Sequence, residues 1–101
     1  MTIVVVVFNL KAGVDAAEYE NWARARDLPN VNALDSVERF RVLRTRGLMN
    51  GSPAPYQYVE LIELHSLDGL RADVKSELMQ SVAQEFRRYA DAPQFLVTDS
   101  L

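Results

Sequence analysis

The sequence predicts one α+β domain over residues 1–101, with elements in the order β-α-β-β-α-β, a four-stranded antiparallel sheet and both helices on one face. Three observations carry that prediction. A short β-branched run, Ile3-Val4-Val5-Val6-Val7-Phe8, opens the chain. Alternating stretches follow at residues 37–45 and 56–64, and apolar residues then recur at threes and fours between residues 67 and 89.

The opening run is apolar at successive positions, so both faces of its strand need cover. Lys11-Ala12-Gly13 is a turn, and Asp15 with Glu18 three residues on has the spacing of a capping box with Asp in the Ser/Thr place. The helix that follows is expected to reach about residue 27, with Tyr19, Trp22, Ala23 and Arg26 inward and Pro29 ending or breaking it. Residues 28–36 then form a connection. In the second strand Glu38, Phe40, Val42 and Arg44 fall on one side, and Arg39, Arg41, Leu43 and Thr45 on the other. Residues 47–55 hold two Gly and two Pro, which suits a mobile loop better than a tight hairpin. Leu67, Leu70, Val74, Leu78, Val82, Phe86 and Tyr89 define a long amphipathic helix with a kink near Ser76. Pro93 closes it before a last strand at Phe95-Leu96-Val97-Thr98. This order is the ferredoxin-like one.

Composition narrows the functions available. At 101 residues the chain buries roughly two-thirds of its unfolded surface, enough for one modest core and no second domain. With 49% apolar and 25% charged residues it is an ordinary globular sequence. A net charge of −3 and the absence of a basic stripe argue against a nucleic-acid partner. The lack of cysteine removes disulfides and thiolate chemistry, and one His without a close carboxylate cluster leaves too few ligands for a metal. No Gly-rich phosphate loop or Ser-His-Asp arrangement is visible, so no cofactor is expected. The longest apolar run is far shorter than a membrane span and lacks signal-peptide flanks, so a cytoplasmic location without membrane association is expected.

Two helices cover one sheet face, yet the strands are apolar on both. Alternation places Ile3, Val5, Val7, Leu43, Val59, Leu61 and Leu96 on the uncovered side. Leaving them wet would forfeit roughly 1.5–3 kcal/mol each, on the order of 10–20 kcal/mol against a whole-domain stability of about 5–15 kcal/mol. A homodimer, sheet against sheet about a two-fold axis, is therefore expected.

Alternation along the third strand turns Tyr58 and Glu60 toward the helices. A carboxylate there is costly unless it is paired, protonated or wet. Glu60 is thus the candidate acid–base residue, with Tyr58 as its partner. The alternative is a buried ion pair between Glu60 and an arginine such as Arg26 or Arg44. His65, the only histidine, stands at a strand end and is a secondary candidate, with a solvated or capping role expected. Phe8, Tyr19, Trp22, Phe40, Phe86 and Phe95, together with Arg26 and Arg44, are the candidate lining of a cavity for a flat ligand. Aromatic residues at these spacings also fit a plain core.

Several segments resemble known proteins. Val6-Val7-Phe8-Asn9-Leu10-Lys11-Ala12-Gly13-Val14-Asp15, then Tyr19-Glu20-Asn21-Trp22 and Asp27-Leu28-Pro29, resemble the start of dimeric α+β-barrel proteins. Phe40-Arg41-Val42-Leu43-Arg44, Pro55-Tyr56-Gln57-Tyr58-Val59-Glu60 and Phe86-Arg87-Arg88-Tyr89-Ala90-Asp91 resemble more narrowly the RedY-like, HapK-type family, over nearly the whole chain. The resemblance implies a dimeric α+β barrel with a ligand cavity between sheet and helices in each protomer. It also implies a place in prodiginine (red tripyrrole pigment) or related pyrrole and indole pathways. Relatives in the wider superfamily include cofactor-free monooxygenases and polyketide cyclases; such cyclases use a Tyr/His pair on the second helix, which has no His here.

The resulting expectation is a cofactor-independent enzyme promoting condensation, cyclisation or loss of water on a pyrrole- or indole-containing intermediate. Glu60 would shuttle the proton, with Tyr58 beside it and Trp22 and Phe40 as stacking walls. A cofactor-free monooxygenase and a non-catalytic binding or chaperoning protein for a pigment precursor are the alternatives.

Overall fold

The β-branched opening run becomes an inner strand of the sheet. In the computed structural model, which describes all 101 residues, β1 (Thr2–Leu10) lies between β3 (Tyr58–Leu64) and β4 (Ala90–Asp99). With β2 (Val37–Arg44) outside β3, the strand order is β2-β3-β1-β4 and every neighbouring pair is antiparallel. All helices pack on one face. Val4, Val6 and Phe8 are buried beneath them, whereas Ile3, Val5 and Val7 are half-buried on the other face.

The first helix starts as expected, with Asp15 in extended backbone at its N-cap, but the carboxylate makes no capping bond and the box stays open. It does not stop at Asp27. α1 (Ala16–Trp22) runs through a π-helical stretch, Ala23–Asp27, into α2 (Leu28–Asn32). The wide turn is visible in the Leu28 N–H, which donates to the Ala23 carbonyl five residues back. Pro29 then falls in the first turn of α2, where a helix accepts proline, and the Asn30 and Asn32 amides donate to the Arg26 and Leu28 carbonyls at 2.8 Å each. The buried series is Tyr19, Ala23, Asp27 and Val31. In a regular 3.6-residue helix a ladder of fours drifts about 40° per step, and the π turn takes up part of that drift. Asp27 consequently points inward where regular helical periodicity had favoured Arg26.

β2 slips register between Val37 and Arg39. This bulge buries Val37 and removes Glu38 from the row it was expected to share with Phe40 and Val42. The loop at 47–55 is tied to β1 at its C-terminal end and folds on itself in the middle. Asn9 donates to the Pro55 carbonyl (3.2 Å) and accepts from the Gln57 N–H (2.9 Å), and a turn between Leu48 and Ser52 closes at 2.8 Å with Gly51 at φ 89°.

The long second helix is two helices, α3 (Leu67–Asp73) and α4 (Glu77–Tyr89). Ser66 and Ser76 cap them, accepting from the N–H of Gly69 (2.9 Å) and Met79 (3.2 Å). The break shifts the phase, so that Met79, Val82 and Phe86 are buried while Val74 and Leu78 stay exposed. β4 begins at Ala90 rather than Phe95, and Pro93 lies at a bulge in this edge strand, where no N–H is required. Ala92 turns the bulge at φ 44°.

The seven apolar residues expected on the uncovered face are all there. Val5 lies opposite Leu61 and Leu96, and Val59 lies between Val7 and Leu43. No helix of the chain is long and apolar enough to cross a membrane.

Candidate functional site

Tyr58 on β3 and Arg44 on β2 are cross-strand partners, and both reach Glu20 on α1. The Tyr58 hydroxyl donates to Glu20 Oε2 at 2.7 Å. Arg44 holds both carboxylate oxygens, Nε to Oε2 at 2.8 Å and Nη2 to Oε1 at 2.7 Å, and Arg24 approaches Oε1 at 3.3 Å. The Arg44 bonds first, and the Tyr58 bond second, lower the Glu20 pKa to about 2, so this carboxylate is a fixed anion. Burial, then Glu20 itself, pushes Tyr58 up to about 12 and keeps it a neutral donor. Beside the three side chains opens a pocket of about 150 Å³, walled by Tyr19, Ala23, Leu28 and Val42.

Two more carboxyls lie directly behind that pocket. Glu60 pairs across the sheet with Val42 and sits two residues from Tyr58; it is 4% exposed, and Asp27 is 6% exposed. Neither meets a cation. Arg44 is engaged by Glu20 and Arg26 by Glu85, so the buried ion pair considered for Glu60 does not form. Glu60 Oε1 and the Tyr19 hydroxyl have no hydrogen-bond partner. Burial first, and the charge of Asp27 second, push Glu60 well above the ordinary carboxylate range. Burial raises Asp27 to about 7. Tyr19 is raised as well, by burial and then by the two acids. Two carboxyls in one dry site do not both ionise readily, so the pair retains a proton near neutral pH.

A sequence model of the REDY-like protein HapK matches residues 2–101. The chain belongs to this family. HapK from Hahella chejuensis superposes with a TM-score of 0.83 at 28% identity, over 100% of this chain and 93% of that one. The ferredoxin-like α+β fold recurs in two more distant structures. At3g17210 from Arabidopsis thaliana has a TM-score of 0.82 at 14% identity, over 100% and 96% of the two chains. SnoaB, a cofactor-independent oxygenase from Streptomyces nogalater, has 0.79 at 17%, over 99% and 92%. A comparison with curated proteins gives no match.

In this HapK-family chain the expected site residues separate into groups. Tyr19, Arg44 and Tyr58 line the polar pocket. Tyr58 bonds to Glu20, so it is not the hydrogen-bond partner of Glu60 that its register suggested. Trp22 and Arg26 instead tie α1 to α4: the indole N–H donates to Glu85 Oε1 at 2.8 Å, and Arg26 holds the same carboxylate at 3.0 and 2.9 Å. The Trp22 ring packs near Phe86 and Tyr89, with centroids 6.3 and 5.3 Å away. Phe8 is core, surrounded by Tyr19, Tyr58 and Phe86 at 5.1–5.6 Å. Phe40 is also core, its backbone held by both ends of the Asn32 amide. Trp22 and Phe40 therefore do not face each other as stacking walls of the pocket. Phe95 is 60% exposed and lines a different cavity. His65 is solvated, its Nε2 lying 2.9 Å from Glu38 Oε2 with both side chains 53% exposed.

Sequence reasoning missed Glu20 and Asp27. Glu20 with Arg24 has the i,i+4 spacing of an ordinary surface pair. Asp27 stands just before Leu28-Pro29, where a helix end was expected. The one signal for it was the ladder Tyr19-Ala23-Asp27, which becomes a single face only through the π turn.

Proposed function

We propose that this chain is a homodimeric, cofactor-independent enzyme of prodiginine-like secondary metabolism that promotes condensation, cyclisation or loss of water on a pyrrole- or indole-containing intermediate. The observation that carries the reading is the cation-free acid pair, Asp27 and Glu60, directly behind a pocket fixed by Tyr58, Glu20 and Arg44. General acid–base work needs a group that holds a proton near the working pH and can give it up. Loss of water requires a proton delivered to the departing hydroxyl and another removed from the neighbouring carbon or nitrogen. Glu60 serves as that donor and acceptor, and the charge of Asp27 controls how readily it lets go. Tyr58, Glu20 and Arg44 orient the polar ring, a heterocyclic N–H taking the place of the long 3.3 Å contact from Arg24 on Glu20 Oε1. Membership of the HapK family supports the pathway class, and SnoaB shows that cofactor-independent chemistry occurs on this fold.

Assembly follows from the seven uncovered apolar residues, and two proteins with the same fold, from Thermobifida fusca and Bacteroides fragilis, are described as dimeric. Val5→Asp or Leu61→Asp is expected to give a monomer or aggregate by light scattering; an intact, stable dimer would mean that this face is not the interface.

The activity is tested by incubating the purified protein with pyrrole and indole pathway intermediates, with and without oxygen, and following mass and retention. The expected product forms equally under nitrogen, as an isomer, a condensate or a species lighter by one water. Turnover that stops without oxygen and adds oxygen atoms identifies a monooxygenase. An absorbance shift with mass and retention both unchanged identifies a binding protein.

A further inference from the structure

A second cavity, of about 240 Å³, is lined by residues farther along the same strand and helix that carry the acid pair. Eight of its nine lining residues are apolar, among them Val31, Ile62, Leu70, Met79 and Phe95, and Arg71 is the exception. Both walls of the protein read in the same order. Along β3, Tyr58 lines the polar pocket, Glu60 comes two residues on, and Ile62 lines the apolar cavity two residues further. Along the first helical stretch, Ala23 lines the polar pocket, Asp27 follows four residues on, and Val31 lines the apolar cavity. At about 3.3 Å per strand residue and about 1.5 Å per helix residue, the two routes span roughly 13 and 12 Å. The acids therefore form a septum midway between a polar and an apolar compartment.

From this we infer that the substrate has two parts: a polar ring held at Tyr58, Glu20 and Arg44, and an uncharged, flat aromatic portion of bicyclic size in the second cavity, with the reacting bond between them at Glu60. This rests on the function proposed above and adds the substrate's shape. An apolar cavity of about 150 Å³ is known to hold benzene, so the larger volume here leaves room for a second fused ring. Charge on that portion is disfavoured, because the lining is apolar apart from Arg71, whose guanidinium lies toward solvent and faces Asp68, so lost hydration would not be replaced inside. The Met79 thioether and the Phe95 ring supply the contacts that aromatic rings favour. Entry is from the side of Phe95 and Val74, which are 60% and 41% exposed.

The three methionines make the test direct. Met79 lines the cavity and is 6% exposed, whereas Met1 is 55% exposed and Met49 is fully exposed. Protein carrying 13C-methyl methionine is titrated with indole and followed by NMR. The Met79 methyl alone is expected to shift, and to saturate. Val74→Trp at the rim, or Leu70→Phe further in, should abolish that shift without moving the melting temperature. A Met79 signal that does not move up to the solubility of indole, or three methyls that drift together, would overturn the inference. Glu60→Gln tests the chemistry separately. A responsive Met79 with a fully active Glu60→Gln keeps the aromatic subsite and removes the acid–base reading; a silent Met79 with an inactive Glu60→Gln does the reverse.

Discussion

Glu20 and Asp27 stand on one continuous helical stretch, yet their carboxyls are driven in opposite directions. Arg44 and Tyr58 lower Glu20 to about 2, and burial raises Asp27 to about 7. Glu85, held by Arg26 and Trp22, repeats the first case at about 2, and Glu60, raised by burial and by Asp27, repeats the second. The two environments arise from geometry that one helix presents to one sheet. Its first turns pass the β2 edge, where Arg44 reaches across, while the π stretch turns Asp27 toward a core that contains no cation. The paired acids are permanent anions suited to anchoring. The unpaired acids are the ones able to exchange protons.

The sharpest way to break this division is at Glu60. If the unpaired acids do the chemistry, Glu60→Gln cuts turnover roughly 10²–10⁴-fold. Because no arginine is stranded by the change, melting should hold or improve, unlike the loss of about 3–5 kcal/mol that breaking a buried ion pair brings. A variant that is both fully active and equally stable would remove Glu60 from the mechanism and leave Asp27 and Tyr58 to be tested next.

The second effect is on stability against pH, and the two groups of acids predict opposite signs. Where the folded pKa is raised, the native state keeps a proton that the unfolded chain has lost, so the Asp27 contribution falls as pH climbs from about 3.8 to about 7, and that of Glu60 falls above about 4.5 in the same sense. Glu20 and Glu85 stabilise above about 4.5, and that contribution disappears as pH drops toward about 2. Stability should therefore peak near pH 4.5–5 and decline toward neutrality. Asp27→Asn removes Asp27's own share of the neutral-side decline and lessens that of Glu60, whose burial keeps the remainder, so the variant's curve should be flatter than the wild type's but not flat. Urea unfolding of both proteins at several pH values measures it. A wild-type curve that is flat between mildly acidic and mildly basic pH would show that Asp27 is not held protonated.

A smaller effect sharpens the anchoring side. Tyr58→Phe removes one donor from Glu20 but leaves both Arg44 bonds, so folding should lose only about 1 kcal/mol. The Glu20 carboxyl resonance should titrate at higher pH, by NMR, while remaining below the ordinary glutamate range. Affinity for an N–H heterocycle should fall more than the turnover of bound substrate. Equal loss in both would give Tyr58 a part in the reaction itself.

Much of this frame was legible in the sequence because period-two alternation reports directly on sheet faces. Val5, Val59 and Leu61 could be assigned to the open side, and Tyr58 and Glu60 to the covered one, without knowing the strand order. What alternation does not carry is who meets whom across three elements. Nothing local links Glu20 to Arg44 and Tyr58, which come from α1, β2 and β3. Helical periodicity failed at two irregular places. The π stretch substituted Asp27 for Arg26 on the inner face, and the Ser76 cap rotated Met79 inward in place of Leu78. Both irregularities line the cavities, so the parts of the chain that were hardest to read are those nearest the proposed chemistry.

The smallest expected effect belongs to the only histidine, and it guards the comparison against the most obvious rival. His65 caps no helix and lines neither cavity; its one polar side-chain contact is Glu38, at the β2 bulge, open to solvent on both sides. Exposed pairs of this kind contribute about 0–1 kcal/mol, because water screens the attraction and two side chains must be held still. His65→Ala should accordingly change stability by less than about 1 kcal/mol and leave turnover unchanged. Glu38→Gln should behave the same way, and the double variant should show no coupling beyond that range. A turnover loss comparable to that of Glu60→Gln would place the proton-transfer step at the end of β3, outside both cavities. The contrast between paired and unpaired acids would then describe folding rather than catalysis.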